Sequence, residues 1–330
     1  MNMRTFGHTG IPVSEIGLGC WQLGGADWGD MDEQQAFAIL QAAVDSGVTF
    51  FDTADVYGFG KSETFIGNFL KQRGLQGRIF VATKLGRRPD PGWPDNFTPA
   101  AIRRHTEDSL RNLGVDCLDL TQFHCIPTAE FRKGEVFHTL RELRAEGKLR
   151  YFGASVESME EAEYCLRQDG LTSLQIIFNI FRQKPITTLF AQAKALGVAL
   201  IVRLPLASGL LAGKYTRDTV FPATDHRHYN RDGQAFNVGE TFAGIPFETA
   251  VALTDGLQPF VPTDWTMADW ALRWILDFDA VSTIIPGATK PEQVLRNARP
   301  SALPALGADI HDKLRAYYTD HVAQHIRGPY

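Results

Sequence analysis

Apolar residues along this chain gather in short continuous runs rather than in strict alternation, and most runs are followed by a longer stretch with helical spacing. The runs are IGLGC (16–20), VTFFDT (48–53), IFVATKL (79–85), CLDLTQFH (117–124), LRYFGAS (149–155), SLQIIFNI (173–180), ALIVRLPL (199–206) and VSTIIPGA (281–288). Unbroken apolarity over so few residues describes a strand covered on both faces, as in a parallel sheet. The stretches DEQQAFAILQAAVDSG, SETFIGNFLKQRG, TPAAIRRHTEDSLRNLG, GEVFHTLRELRAEG, SMEEAEYCLRQ and TTLFAQAKALG carry apolar residues three and four apart, and several stop at glycine. This alternation predicts an α/β fold, a single (β/α)8 TIM barrel occupying residues 1–330 as one domain.

Two segments stand outside the repeat. Residues 4–15, RTFGHTGIPVSE, read as a β-hairpin around His8-Thr9-Gly10 that plugs the amino-terminal mouth of the barrel. Residues 214–263 are polar and aromatic without periodicity, a long loop between the seventh strand and the helix DWTMADWALRWILD. A connection of that length inside a barrel is expected to be a functional lid. An open doubly wound sheet is the competing architecture, but GLGCWQLGG places Gln22 where the third glycine of the dinucleotide fingerprint belongs.

Composition narrows the function classes. A net charge of -5 carries no basic excess, which argues against a nucleic-acid partner or an anionic membrane surface. No apolar stretch approaches the roughly 20 residues of a membrane span. Cys20, Cys117, Cys125 and Cys165 lack metal or redox spacing, and MNMRTFGHTG lacks the apolar core of a signal peptide, so reduced thiols in a cytoplasmic protein are expected. His226 and His228 have no further ligand at metal spacing, so they read as solvated side chains and no metal is expected.

Chemistry enters at the carboxyl ends of the strands, where barrel active sites lie. In FFDTADVYGFGKSETFIG (50–67), Asp52 and Tyr57 follow the second strand; Lys84 ends the third and His124 the fourth. Taken singly, each has an ordinary structural reading as a turn cap, a loop anchor or a solvated cation. Together they suit protonation of a carbonyl oxygen: an ammonium at Lys84 lowers the phenol pKa of Tyr57, Asp52 orients Lys84, and His124 donates to or relays a proton at the same oxygen. Gly58 and Gly60 are expected to turn the loop tightly beneath Tyr57, and Lys61 and Glu63 to begin the next helix.

Several of these phrases resemble the aldo-keto reductase family: FFDTADVYGFGKSE, VATKLG, DLTQFH, YFGAS, PLASGLLAGKY and STIIPGATKPEQVLRN, in order over nearly the whole chain. The resemblance implies a barrel enzyme that reduces an aldehyde or ketone to an alcohol, or the reverse, with Asp52, Tyr57, Lys84 and His124 as its catalytic residues and Tyr57 as general acid. It implies NADPH as cofactor, with NADH as the alternative. Gly19, Cys20, Trp21 and Asp52 are counted among the cofactor-binding residues; Ser155 and Gln175 would hold the nicotinamide carboxamide, and Arg203 takes the place of an aromatic that stacks on that ring. Leu206, Ser208, Gly209, Leu211 and Lys214 resemble the pyrophosphate cradle. Gly287, Thr289, Lys290, Gln293 and Asn297 resemble the adenosine end. The chain departs from the family at Val156, where an asparagine is usual, and at Gln293 and Arg296. Trp21, Tyr57 and His124 would wall the substrate, a small carbonyl compound or alcohol. The alternative function is a cofactor-binding regulatory subunit that acts through a protein partner; oligomeric state is unassigned.

Overall fold

The computed structural model describes residues 1–25 and 28–330. Its strands are β1 (Met3–Thr5), β2 (Pro12–Ser14), β3 (Leu18–Gly19), β4 (Phe50–Asp52), β5 (Phe80–Leu85), β6 (Leu118–His124), β7 (Leu149–Ser155), β8 (Leu171–Ile177), β9 (Ala199–Arg203) and β10 (Val281–Ile284). From β3 to β10 the strands lie parallel and in chain order. Parallel bridges from Ile16 to Ile284 and from Gly19 to Gly287 join the first strand to the last, which gives the expected (β/α)8 barrel.

The continuous apolar runs now have a physical reading. Successive residues of a strand face opposite ways, and here both faces meet apolar neighbours. Phe51, Val81, Phe123 and Phe152 belong to the large cluster beneath the helices, whereas Phe50, Ala82, Leu120, Ala199 and Ile201 fill the interior. Gly153 lies on the interior parity, where a Cβ would stand 2.2 Å from Ser173 Oγ, so only glycine fits.

The hairpin β1–β2 pairs antiparallel, with Arg4 opposite Val13. Phe6 and Val13 join the interior cluster from below. The fully buried Phe6 ring lies 5.6 Å from Phe50 and 5.0 Å from Phe80, centroid to centroid. A phenyl ring so placed contributes about 1.5–3 kcal/mol by leaving water, and it seals the amino-terminal mouth as expected.

The expectation of an aperiodic segment over 214–263 is corrected in part. Phe247–Leu257 is a helix that buries Phe247, Ala250, Val251, Thr254 and Leu257, and His226–Tyr229 forms a single turn. Phe221, Phe242 and Phe247 pack as a small aromatic core with ring centroids 4.8–5.7 Å apart. Arg182, almost wholly buried, ties this connection down by donating to Ala243 O at 3.3 Å and to Pro329 O at 2.7 Å. No helix among the described residues is long and apolar enough to cross a membrane.

Candidate active site

Parity along the strands delivers the polar groups. With Phe50, Ala82, Leu120 and Ile201 facing the interior, the residues two or four positions further on, Asp52, Lys84, His124 and Arg203, face it as well and form its carboxyl-terminal floor. The same rule places Ser155 two residues past Gly153 and sets Gln175 between the outward Leu174 and Ile176. Tyr57 arrives from the loop after β4. That loop is locked by a close approach of two glycines: at Gly58 φ is +60°, and a Cβ there would stand 2.3 Å from Gly24 O. The contact also seats Trp21 against Tyr57, rings 6.0 Å apart and nearly parallel.

The four expected side chains converge. Lys84 Nζ contacts Asp52 Oδ1 in a buried ion pair, donates to Thr53 O at 2.8 Å and reaches the Tyr57 hydroxyl at 3.5 Å. The Tyr57 and His124 rings meet edge to face at 5.6 Å. Burial disfavours the Lys84 ammonium, but Asp52 and then Tyr57 outweigh it and its pKa moves up. Burial pushes the Asp52 carboxyl up, with Lys84 and the Gln175 amide pulling against it. The proton of the pair resides on Lys84.

One expectation is reversed. Lys84 does draw the Tyr57 pKa down, but burial is the larger effect and the phenol sits above its ordinary value of 10.0. The pocket keeps Tyr57 protonated. His124 moves well below its ordinary 6.5, first through burial and then through Arg87, Lys84 and Arg203, so the imidazole is neutral.

Above this floor runs a cleft of about 800 Å³. Of the expected residues it is lined by Asp52, Tyr57, His124, Gly19, Cys20, Trp21, Gln175, Arg203, Leu206, Ser208, Gly209, Lys214, Gly287, Thr289, Gln293 and Asn297. Lys84 lies just behind the lining, fully buried against Asp52. Ser155 is also behind it, with Oγ 3.3 Å from Cys125 Sγ. Leu211 lies behind the lining, its side chain in the core and its N–H donating to Leu206 O at 3.2 Å. Lys290 is exposed beside the cleft, not in its lining.

The lining fits a nicotinamide dinucleotide. Leu204, Ala207, Ser208 and Gly209 all have left-handed backbone, the kind of turn that forms concave amide nests for phosphate, and Lys214 is on the same wall. At the far end, Gln293 Oε1 accepts from Thr289 N at 2.6 Å, Thr289 Oγ1 at 3.1 Å and Lys290 N at 3.1 Å, gathering donors at the start of the helix Pro291–Ala298. Gln175 donates Nε2 to Asp52 Oδ2 at 2.7 Å, which leaves its carbonyl oxygen for a carboxamide.

Several residues in and around the cleft take places their sequence positions do not announce. His226, expected in solvent, is buried and lies 5.0 Å from the Trp21 ring and 4.8 Å from Trp28; His228 is exposed as expected. Glu63, expected as an ordinary first-turn residue, is buried, accepting from Thr83 Oγ1 at 2.5 Å and Asn112 Nδ2 at 2.9 Å. Arg87 donates to His124 O at 2.9 Å and contacts Glu240 at 3.1 Å and Glu157 at 3.2 Å. Trp93, in the loop after β5, is half exposed and outside the cleft lining, its indole N–H donating to Gly86 O at 2.6 Å. Cys125, Glu157 and Glu240 come together at distances a metal would accept, but the guanidinium groups of Arg87 and Arg203 already occupy the cluster.

Known proteins share this arrangement of sequence and fold. The family model described as the aldo/keto reductase family matches residues 15–318. Aldo-keto reductase YhdN of Bacillus subtilis (strain 168) is 30% identical over 301 residues, covering 89% of this chain and 87% of its own. The NADH-specific methylglyoxal reductase of Escherichia coli (strain K12) is 30% identical over 316 residues, covering 90% and 92%. Among solved structures, the holo form of aldo-keto reductase AKR11C1 from Bacillus halodurans superposes with a TM-score of 0.78 at 28% identity, covering 96% of each chain. The glycerol dehydrogenase AKR11B4 from Gluconobacter oxydans does so with the same score and identity, covering 99% and 98%. The chain therefore belongs to the aldo-keto reductase family, oxidoreductases acting on carbonyl compounds and alcohols.

Proposed function

We propose that this protein reduces an aldehyde or ketone to an alcohol, or runs the reverse, with NADPH as the partner and Tyr57 as general acid. The observation that carries the reading is a protonated phenol between a buried ammonium and a neutral imidazole at the floor of a dinucleotide-sized cleft. The bound cofactor supplies the hydride. Tyr57 gives its hydroxyl proton to the carbonyl oxygen as that oxygen gains charge, and Lys84, held by Asp52, stabilises the phenolate left behind. His124, being neutral, contributes one hydrogen bond to the same oxygen. The aromatic wall of Trp21, Trp28 and His226 keeps water from the reacting carbon.

Lys290, at the start of the last barrel helix, supports NADPH, since a cation there suits a 2'-phosphate. Gln293 must turn aside for that phosphate to take the Thr289 and Lys290 amides. The relative named as NADH-specific marks the alternative. Steady-state assays with a panel of short aldehydes and ketones, run with each cofactor, test the reading. Turnover that is faster with NADPH supports it; faster turnover with NADH overturns the cofactor assignment, and cofactor binding without turnover on any compound overturns the enzymatic one in favour of a regulatory subunit.

A further inference from the structure

We propose that Glu240, carried by the long connection after β9, is a positioning residue that ties this connection to the catalytic floor by holding Arg87 and Arg203 together. This rests on the reading of Tyr57 as proton donor. Glu240 Oε1 lies 3.1 Å from Arg87 Nη2 and 3.4 Å from Arg203 Nη1, so one carboxylate balances guanidinium groups from two different strand ends. Arg87 reaches onward to His124 O at 2.9 Å, and Arg203 Nη2 to Val156 O at 3.3 Å. The chain of contacts therefore runs from the connection to the backbone that carries the imidazole and to the residue after Ser155.

The backbone around Glu240 is held from the other side. Ser208 Oγ donates to Glu240 O at 3.0 Å, and Phe242 N donates to the same hydroxyl at 3.2 Å, so the phosphate-nest turn and the Glu240 turn are one unit. A Cβ on Gly239 would stand 2.4 Å from Arg182 Nη1, which fixes the turn against a buried cation. Glu240 is itself buried, and it lines the cleft with Arg203. Burial alone would raise its pKa, but Arg203 and Arg87 outweigh it and hold the carboxyl below its ordinary range. The arrangement is an anion kept charged inside the site.

This anion acts on the proton donor. Among the described residues, the charged and titratable groups around Tyr57 are Asp52 from β4, Lys84 from β5, His124 from β6 and Glu240 from the connection, with Arg87 and Arg203 on the Glu240 carboxylate. Glu240 opposes phenolate formation, and it also neutralises two cations that would otherwise favour it. Both effects have the same sign, so removing the carboxylate makes the phenol easier to ionise.

The test compares wild type with Glu240→Gln, which keeps shape and hydrogen bonding but loses the charge, and reads the ratio of kcat/KM for carbonyl reduction at pH 10 to that at pH 7. A phenol that ionises earlier loses activity earlier, so the ratio is expected to fall about threefold or more in E240Q. The opposite change, Arg87→Gln, removes a cation and is expected to raise the ratio above the wild-type value. An E240Q ratio equal to wild type, or an R87Q ratio at or below it, overturns the proposal. Should E240Q melt below the assay temperature, R87Q decides alone: a ratio above wild type supports the proposal, and one at or below it overturns it. Absence of turnover in the wild type would instead be a failure of the reductase reading.

Discussion

Gln175 donates its side-chain amide to Asp52 at 2.7 Å, on the carboxylate oxygen opposite the one that holds Lys84. The contact joins two residues 123 positions apart on β4 and β8, across the barrel floor. Asp52 is therefore the hinge of the proposed proton-donor assembly, and a residue expected to touch only cofactor supports it.

The Asp52→Asn variant should show this directly. Removing one partner of a buried ion pair leaves Lys84 uncompensated, at a cost of about 3–5 kcal/mol. The ammonium that stabilises the Tyr57 phenolate is weakened as well, so kcat is expected to drop about 10²–10⁴-fold. Chemical denaturation and steady-state kinetics on the same preparation measure both. Full stability with full activity would remove Asp52 from the account.

The pH dependence of reduction should have one limb. His124 sits well below 6.5 and stays neutral through the ordinary assay range, so it adds no acidic limb near that value. Tyr57 is raised above 10.0 and, as the proposed acid, must be protonated to act; its contribution is complete below that pKa and is lost as pH rises through it. A kcat/KM profile is expected to be flat from about pH 6 to 8 and to fall only in the alkaline range. A limb centred near 6.5 would mean that His124 carries a proton the pocket is built to exclude.

Stability carries a separate signature at His105. This side chain is fully buried in the helix Pro99–Leu113, and its pKa falls to about 4, first through burial and then through Arg88. The unfolded chain binds a proton below about 6.5 that the native state refuses until pH 4. The contribution is thus present above pH 6.5 and lost as pH falls towards 4. Asp55, raised to about 7 by burial, acts with opposite sign in the same window, its stability present at low pH and lost as pH rises to 7. Only a difference isolates His105: the Tm of His105→Leu minus that of wild type should grow more positive from pH 6.5 to 4, and a constant difference would contradict the assignment.

How far the sequence carried is visible in particular residues. Asp52, Lys84 and His124 were legible because each closes an apolar run, and strand ends in a barrel share one face. The direction of the Tyr57 pKa was not legible, since burial of the hydroxyl, with Trp21 and His124 against the ring, outweighs the pull of Lys84. His226 was read as solvated because no periodicity marks a turn whose partners are Trp21 and Trp28, some 200 positions earlier in sequence. The helix Phe247–Leu257 escaped because its apolar residues sit inside a long polar segment, without a side-chain cap to announce it. Arg87 and Glu240 became visible as a pair only through proximity across 153 positions.

The most direct test of the central claim is turnover by Tyr57→Phe, measured under single-turnover conditions with saturating cofactor. Phenylalanine keeps the ring against Trp21 and His124 and removes only the hydroxyl. Cofactor binding, read by quenching of protein fluorescence, is expected to be unchanged, with hydride transfer slowed about 10²–10⁴-fold. Reduction at the wild-type rate in this variant would contradict that claim, because the proton would then come from a group other than Tyr57.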